Sequence, residues 1–269
     1  MTRCDLSLGF IGLGALGLPM AANLCKAGFR LHVHTRSRNA EAAPDLLGTQ
    51  SCASPAEVAE TIDVLMLCVS DDQAVDDVLF GPDGAAATLR PGAVVVDCST
   101  IAPSKAQQCA ERLAHQQIHY LDAPVTGGTE GARQGTLTVL VGGDLEQLNR
   151  VRPLLEVVGS TIHHFGAVGR GQQVKAVNQV LVAGSYAAVA EAMALGERLQ
   201  LPMPKVVEAL KSGAAGSWAL NQRSATMLRG EYPLGFRLSL HRKDLRIALE
   251  AAQNAELSLP VTQLVEQLE

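Results

Sequence analysis

The chain has 269 residues, of which 47% are hydrophobic, and carries a formal net charge of −5. That length suits two domains, each with a full core. The acidic balance and an aromatic content of 3% exclude a basic or base-stacking nucleic-acid surface. The six cysteines show neither a C-x-x-C pair nor a ligand spacing, so no metal site is expected.

In chain order, the apolar run Leu6–Ile11 reads as a buried strand that enters Gly12-x-Gly14-x-x-Gly17, and a helical pattern follows from about Leu16 to Lys26. Gly12 permits the tight turn, Gly14 lets backbone approach a pyrophosphate, and Gly17 lets helix and strand pack closely. The phosphates are expected at the helix N-terminus, where unpaired N–H groups and the dipole favour an anion. Leu13, Ala15 and Leu16 complete this loop. A strand before it and a helix after it are the context that separates a dinucleotide fingerprint from a glycine-rich turn.

The next apolar runs are Leu31–Thr35, Val64–Val69, Ala93–Asp97, Ile118–Leu121 and Leu137–Val141, with helical segments such as Pro55–Glu60 and Pro103–His115 between them. Continuous apolar strands alternating with helices predict an α/β Rossmann-type doubly wound, mostly parallel sheet. After Gly166 the pattern changes. One long helical segment from Gln172 to about Gln200, then segments near Pro204–Ser212, Trp218–Met227 and Arg242–Ala255, predict an all-α C-terminal domain. The expected boundaries are 1–165 for the nucleotide domain and 166–269 for the helical one.

The long helix is apolar almost all round and is expected to be buried on many sides, a second subunit being one reason. Within it, Val180–Leu195 reads as too short and too polar to cross a bilayer. Folding sequence begins near Leu6, so no secretory leader is read. Cys68 and Cys98 fall in strand-like runs and read as reduced, buried thiols. These features point to a soluble cytoplasmic protein.

An NAD-preferring site places an acid about twenty residues past the glycines. None occurs between His32 and Ala40, where Thr35, Arg36, Ser37 and Arg38 stand instead. A guanidinium there can pair with a 2′-phosphate. NADP(H) is therefore the preferred cofactor, with NAD(H) possible. Val69 and Ser70, at another strand end, are assigned to the same cofactor.

Three segments carry chemistry. In Asp97-Cys-Ser99-Thr100, just past a strand, the two hydroxyls either face the nicotinamide ribose or cap the helix after Pro103. Thr126-Gly127-Gly128 offers a hydroxyl and adjacent N–H groups, which suits a carboxylate, or is a plain turn. Lys175-x-x-Asn178 puts two polar side chains on one face of the apolar helix, where burial is costly unless they act. Burial favours the neutral amine, which makes proton exchange near neutral pH feasible. A lysine reaching out to solvent is the alternative. Trp218 alone reads as core or pocket wall, and Lys243-Asp244 as a solvated helix face.

In this order, Gly9–Met20, Asp97–Thr100, Asp122-Ala-Pro-Val-Thr-Gly-Gly128, Gly135–Leu137, Val141–Gly143, Gly169-Arg-Gly171, Lys175-x-x-Asn178, Glu191-Ala192 and Gly235-Phe236…Lys243-Asp-Leu245 resemble the β-hydroxyacid dehydrogenase family over nearly the whole chain. The family includes 3-hydroxyisobutyrate dehydrogenases, tartronate semialdehyde reductases and glyoxylate/succinic semialdehyde reductases. The resemblance implies that Lys175 is general acid and base and that Asn178 orients the substrate. It implies a carboxylate held at Thr126, Gly127 and Gly128, with Trp218, Phe236 and Asp244 as further substrate-binding residues. Thr100 and Lys243 would contact the cofactor. The partners implied are a small carboxylate-bearing aldehyde or hydroxy acid and a second copy of the chain, as homodimer or homotetramer, with no nucleic acid and no membrane. The alternatives are an imine reductase, against which Lys175 argues, and a non-catalytic NADP-binding sensor or scaffold. Thr126 replaces the family's usual serine, and Asn178-Gln179 its common Asn-Asn. The chain stops at Glu269, short of typical members, so part of the helical domain or of an oligomer contact is expected to lie outside it.

Overall fold

The computed structural model describes residues 6–232 and 235–269, so Cys4 lies outside the described residues. The chain divides into two compact units, Met1–Lys175 and Ala176–Glu269.

The first unit begins with β1 (Leu8–Ile11), α1 (Gly17–Lys26), β2 (Leu31–His34), β3 (Gln50–Ser51), α2 (Pro55–Ala59), β4 (Val64–Leu67) and α3 (Asp72–Phe80). It continues with β5 (Val94–Asp97), α4 (Pro103–Ala114) and β6 (His119–Asp122). The six strands form one sheet in the order β3-β2-β1-β4-β5-β6, every pairing parallel. Strand order reverses between β1 and β4, and in such a sheet ligands bind outside the carboxyl ends of the strands at that point.

β1, β4 and β5 are buried at every position, as strands covered by helices on both faces must be. Phe10, Val64, Met66, Val94 and Val96 point into one core with Met20 and Leu24 of α1. Ile11, Leu65, Leu67 and Val95 alternate with them into a second core with Val58, Val75, Leu79 and Leu113. The doubly wound α/β fold expected from the apolar runs is the fold observed.

A second sheet was not foreseen. β7 (Val125–Thr126) pairs antiparallel with β8 (Leu137–Val141), which pairs parallel with β9 (Gly159–His164). Two helices belong with it, α5 (Gly128–Gln134) and α6 (Leu145–Val158). β7 has two residues and β9 reads Gly-Ser-Thr-Ile-His-His, so neither carries an apolar run. Side chains of Ser54, Asp71 and Asp144 accept from backbone N–H groups in the first turns of α2, α3 and α6, respectively. Each such cap contributes about 1 kcal/mol.

α7 (Arg170–Arg198) is a single 29-residue helix. Its length and composition alone would let it cross a bilayer, a correction to the expected shortness of its apolar part. The second unit is helical: the remainder of α7, then α8 (Met203–Leu210), α9 (Trp218–Arg229), α10 (Leu238–Asn254) and α11 (Pro260–Leu268). Its cores gather Val189, Met193, Met203, Ala219 and Leu220, and Ala183, Leu245 and Val265. The outer side of α7 is not covered: Val177 is 62% exposed and Leu181 69%.

Candidate active site

The glycine turn after β1 is shaped as the fingerprint requires. Gly12 has φ +98°, and a Cβ there would strike the Cys68 carbonyl oxygen. A Cβ at Gly17 would strike the Gly12 carbonyl oxygen, so helix and turn meet backbone to backbone. Gly14 faces open space within 4 Å. α1 begins with no side chain capping its first N–H groups. An exposed Gly14-Ala15 turn before an uncapped helix start therefore fits a pyrophosphate. Leu13 is buried and donates its N–H to Thr35 Oγ1 at 3.3 Å, which ties the turn to the end of β2.

Past β2, Arg36 and Ser37 are exposed. Arg38 is engaged elsewhere: its Nε lies 3.0 Å from Glu41 Oε2, and its Nη1 donates to the Cys52 carbonyl at 2.8 Å. The expectation that Arg38 supports a phosphate is corrected: its guanidinium is held by Glu41. Glu41 is buried, and its Oε1 accepts the Thr35 N–H at 2.9 Å. Glu41 stands one position past Ala40, and a short 3-10 turn at Asn39–Ala42 folds it back.

At the end of β4, the half-buried Val69 donates its N–H to Ser99 Oγ at 2.9 Å, and exposed Ser70 bonds Asp71. Ser99 is thus turned inward to Val69 and does not cap α4, whose N-cap is Ala102. Thr100 is half-buried between buried Ser99 and Ile101. Beneath them Asp97 accepts from the Ser99 N–H at 2.9 Å and the Tyr120 hydroxyl at 2.7 Å. Burial pushes Asp97 up to about 6 against the pull of those donors, and pushes Cys68 up to about 12.

Lys175 sits on α7 and is 8% exposed. Burial recurs at Gly171, Gln172, Lys175, Ala176 and Gln179, a single helical stripe. Asp122, at the end of β6, holds the start of this helix: Oδ1 accepts the Gly169 N–H at 2.7 Å and Oδ2 the Gln172 N–H at 2.9 Å. A Cβ at Gly142 would lie 2.5 Å from Asp122 Oδ1, and one at Gly171 2.8 Å from Oδ2, so both glycines make room for that carboxylate. Burial raises the Asp122 pKa, while the backbone donors oppose that shift. Thr126 is half-buried at the end of β7, and Gly127 and Gly128 follow with φ +129° and +67°.

In the helical unit, Asn178 Nδ2 donates to Gln179 Oε1 at 2.6 Å and Gln179 Nε2 to Asp244 Oδ2 at 2.7 Å. Asp244 Oδ1 lies 3.0 Å from Lys243 Nζ. Asp244 is buried in this network, so its expected solvated face is corrected. Trp218 and Phe236 lie outside these hydrogen bonds. Trp218 stacks on Tyr186 with Arg223 over its ring, and Phe236 meets His241 edge-on. Among the described residues no cluster of His, Cys, Asp and Glu is placed to hold a metal.

The parallel six-stranded sheet and its glycine turn define a nucleotide-binding α/β protein, and comparison with known proteins narrows the class. Residues 7–166 match the NAD-binding domain of 6-phosphogluconate dehydrogenase, and residues 169–269 match the NAD-binding region of NADP-dependent 3-hydroxyisobutyrate dehydrogenase. The chain is 39% identical to 2-hydroxy-3-oxopropionate reductase of Escherichia coli over 98% of its own length and 90% of the relative's. A solved 3-hydroxyisobutyrate dehydrogenase of Salmonella typhimurium superposes with TM-score 0.89 at 31% identity, covering 98% of this chain and 92% of that one. A structure of Psf3 with NADP+ and 2-OPP does so with TM-score 0.89 at 30% identity, covering 97% and 92%. The chain belongs to the β-hydroxyacid dehydrogenase family and is an NAD(P)-dependent enzyme of that family.

Proposed function

We propose that the enzyme uses NADP(H) in preference to NAD(H). Hydride moves between the nicotinamide and a small carboxylate-bearing semialdehyde or 3-hydroxy acid. The substrate is of the 3-hydroxyisobutyrate, tartronate semialdehyde, succinic semialdehyde or glyoxylate type. The observation that carries this reading is Lys175: among the described residues it is the only buried lysine, and its helix starts on the carboxylate at the end of β6.

Gly12–Gly17, Thr35–Ser37, Val69, Ser70 and Thr100 would hold NADP(H), with Lys243 implied by the family resemblance, and the bound cofactor would supply or take the hydride. In reduction the Lys175 ammonium gives its proton to the carbonyl oxygen as the carbonyl carbon takes the hydride. In oxidation the neutral amine removes the hydroxyl proton. Asn178 orients the oxygen, and Thr126, Gly127 and Gly128 hold the carboxylate. Trp218, Phe236 and Asp244 complete the substrate side, in a helical domain spanning 166–269. The 2′-phosphate preference rests on Arg36, which stays exposed while Arg38 neutralises Glu41. Homo-oligomerisation is supported by the exposed apolar side of α7. A reducing, cytoplasmic setting is supported by Cys52, Cys98 and Cys109, buried thiols whose pKa burial raises. Neither an imine reductase nor a non-catalytic sensor is favoured.

The test is oxidation of NADPH and NADH at 340 nm against glyoxylate and succinic, tartronate and methylmalonate semialdehydes, for the wild type and Arg36→Ala. The expected result is turnover of at least one substrate with NADPH preferred. Arg36→Ala should lower the NADPH-to-NADH ratio of kcat/KM at least about tenfold, the loss of one charged hydrogen bond. Equal use of both nucleotides by the wild type would refute the preference.

A further inference from the structure

The side chain of Gln172 has no part in the chemistry above, yet it is 1% exposed and both ends of its amide are bonded. Oε1 accepts the Ile101 N–H at 3.2 Å, and Nε2 donates to the Ser99 carbonyl at 2.8 Å. The amide therefore grips the backbone on either side of Thr100. Its own backbone N–H is taken by Asp122. Gln172 precedes Lys175 by three positions, so the two side chains leave the same face of α7.

We propose that Gln172 is a positioning residue. Its amide clips the Ser99–Ile101 loop to the first turn of the catalytic helix and so sets the distance between the nucleotide held at Thr100 and the proton donor Lys175. The proposal rests on the reading of Thr100 and Lys175 given above. The physical need is plain. Hydride and proton must reach adjacent atoms of one substrate, and a displacement of about 1 Å can cost about 100-fold in rate. The loop carrying Thr100 follows β5 and the lysine lies on α7, so covalent connection fixes neither against the other. Asp122 fixes where the helix starts, and Gln172 fixes the loop to it. No side chain of similar size without both a donor and an acceptor can make both contacts.

The test compares Gln172→Met, which keeps the bulk and loses both hydrogen bonds, and Gln172→Glu, which keeps the acceptor and loses the donor. The readouts are melting temperature, NADPH affinity by fluorescence, kcat and the primary deuterium isotope effect with [4-²H]NADPH. The expected result for Gln172→Met is a folded protein binding NADPH within about threefold of wild type. Its kcat should fall by about 10- to 100-fold and its isotope effect on kcat should rise. Thr100→Ala in that background should cost less than it does in the wild type, because the two share one clip. A kcat within twofold of wild type, or costs that simply add, would overturn the proposal.

Amide exchange at Ile101 separates this proposal from the reading beneath it. Strong protection in the wild type, kept in Gln172→Glu, which retains the acceptor, and lost in Gln172→Met, or in Gln172→Leu should the methionine variant fail to fold, supports the clip. Ready exchange in the wild type overturns it. Turnover that survives loss of Lys175 would refute the proton-donor reading and leave that exchange result standing.

Discussion

Asp97 and Asp122 are register partners across the β5–β6 ladder, both fully buried, and each is held by a different set of donors. Asp122 takes backbone N–H groups from the start of α7, whereas Asp97 takes the Ser99 N–H and the Tyr120 hydroxyl. Asp97 has a pKa of about 6 against an ordinary 3.8, so the folded protein holds this proton more tightly than the unfolded chain. Its stabilising contribution is complete below the ordinary value and is lost as pH rises through about 6. Urea midpoints of wild type and Asp97→Asn, compared from pH 4 to 7, should show the wild type losing up to about 3 kcal/mol relative to the variant. Parallel profiles would contradict this. At this scale the glycine turn was legible because its strand and helix flank it in sequence, and spacing singled out Lys175 and Thr126 as candidates. It did not reach the buried contacts of Gln172 and Glu41, and of its two readings of Ser99 the helix cap is corrected. Gln172 bonds the Ser99 carbonyl 73 residues away, and no local pattern announces such a partner.

α7 shows how much a helix pattern can and cannot say. Its existence and near extent were legible from the apolar stretch, as were α1, α4 and α9, because each presents a strong 3.6-residue period or a clear start. α3 and α5 fall between expected strands without bounds of their own, and α6 and α11 were not expected. β3 and β7, with two residues each, are too short to carry a period at all. What α7 buries was only half legible. A helix apolar all round predicts cover on every side, and this chain covers the stripe of Gln172, Lys175 and Gln179 while leaving Val177, Leu181 and Leu195 exposed. Each such side chain gains about 1.5–3 kcal/mol on burial, which a second copy would supply. Light scattering on wild type and a Leu181→Arg/Leu195→Arg variant should therefore show an oligomer and a folded monomer, respectively. A wild type that runs at the single-chain mass of 28.3 kDa at micromolar concentration would contradict the oligomer.

For the whole molecule, the order of motifs was more informative than any one of them. The fingerprint, the strand-end hydroxyl segment, Thr126-Gly-Gly and the lysine helix follow one another in the order that marks the β-hydroxyacid dehydrogenase family. Family and fold were readable on that account. The second sheet was not, since β9 lies partly exposed at a sheet edge and lacks the continuous apolar run of a buried strand. The buried contact of Gln179 on Asp244, 65 residues apart, was likewise beyond any local pattern. The claim on which the account turns is that Lys175 carries the proton. The most direct measurement is kcat for Lys175→Met beside wild type on the best substrate of the semialdehyde panel, with NADPH affinity measured in the same samples. The account predicts a loss of about 100- to 10,000-fold in kcat with NADPH binding intact. A kcat close to wild type in a Lys175→Met enzyme that binds NADPH normally would contradict it.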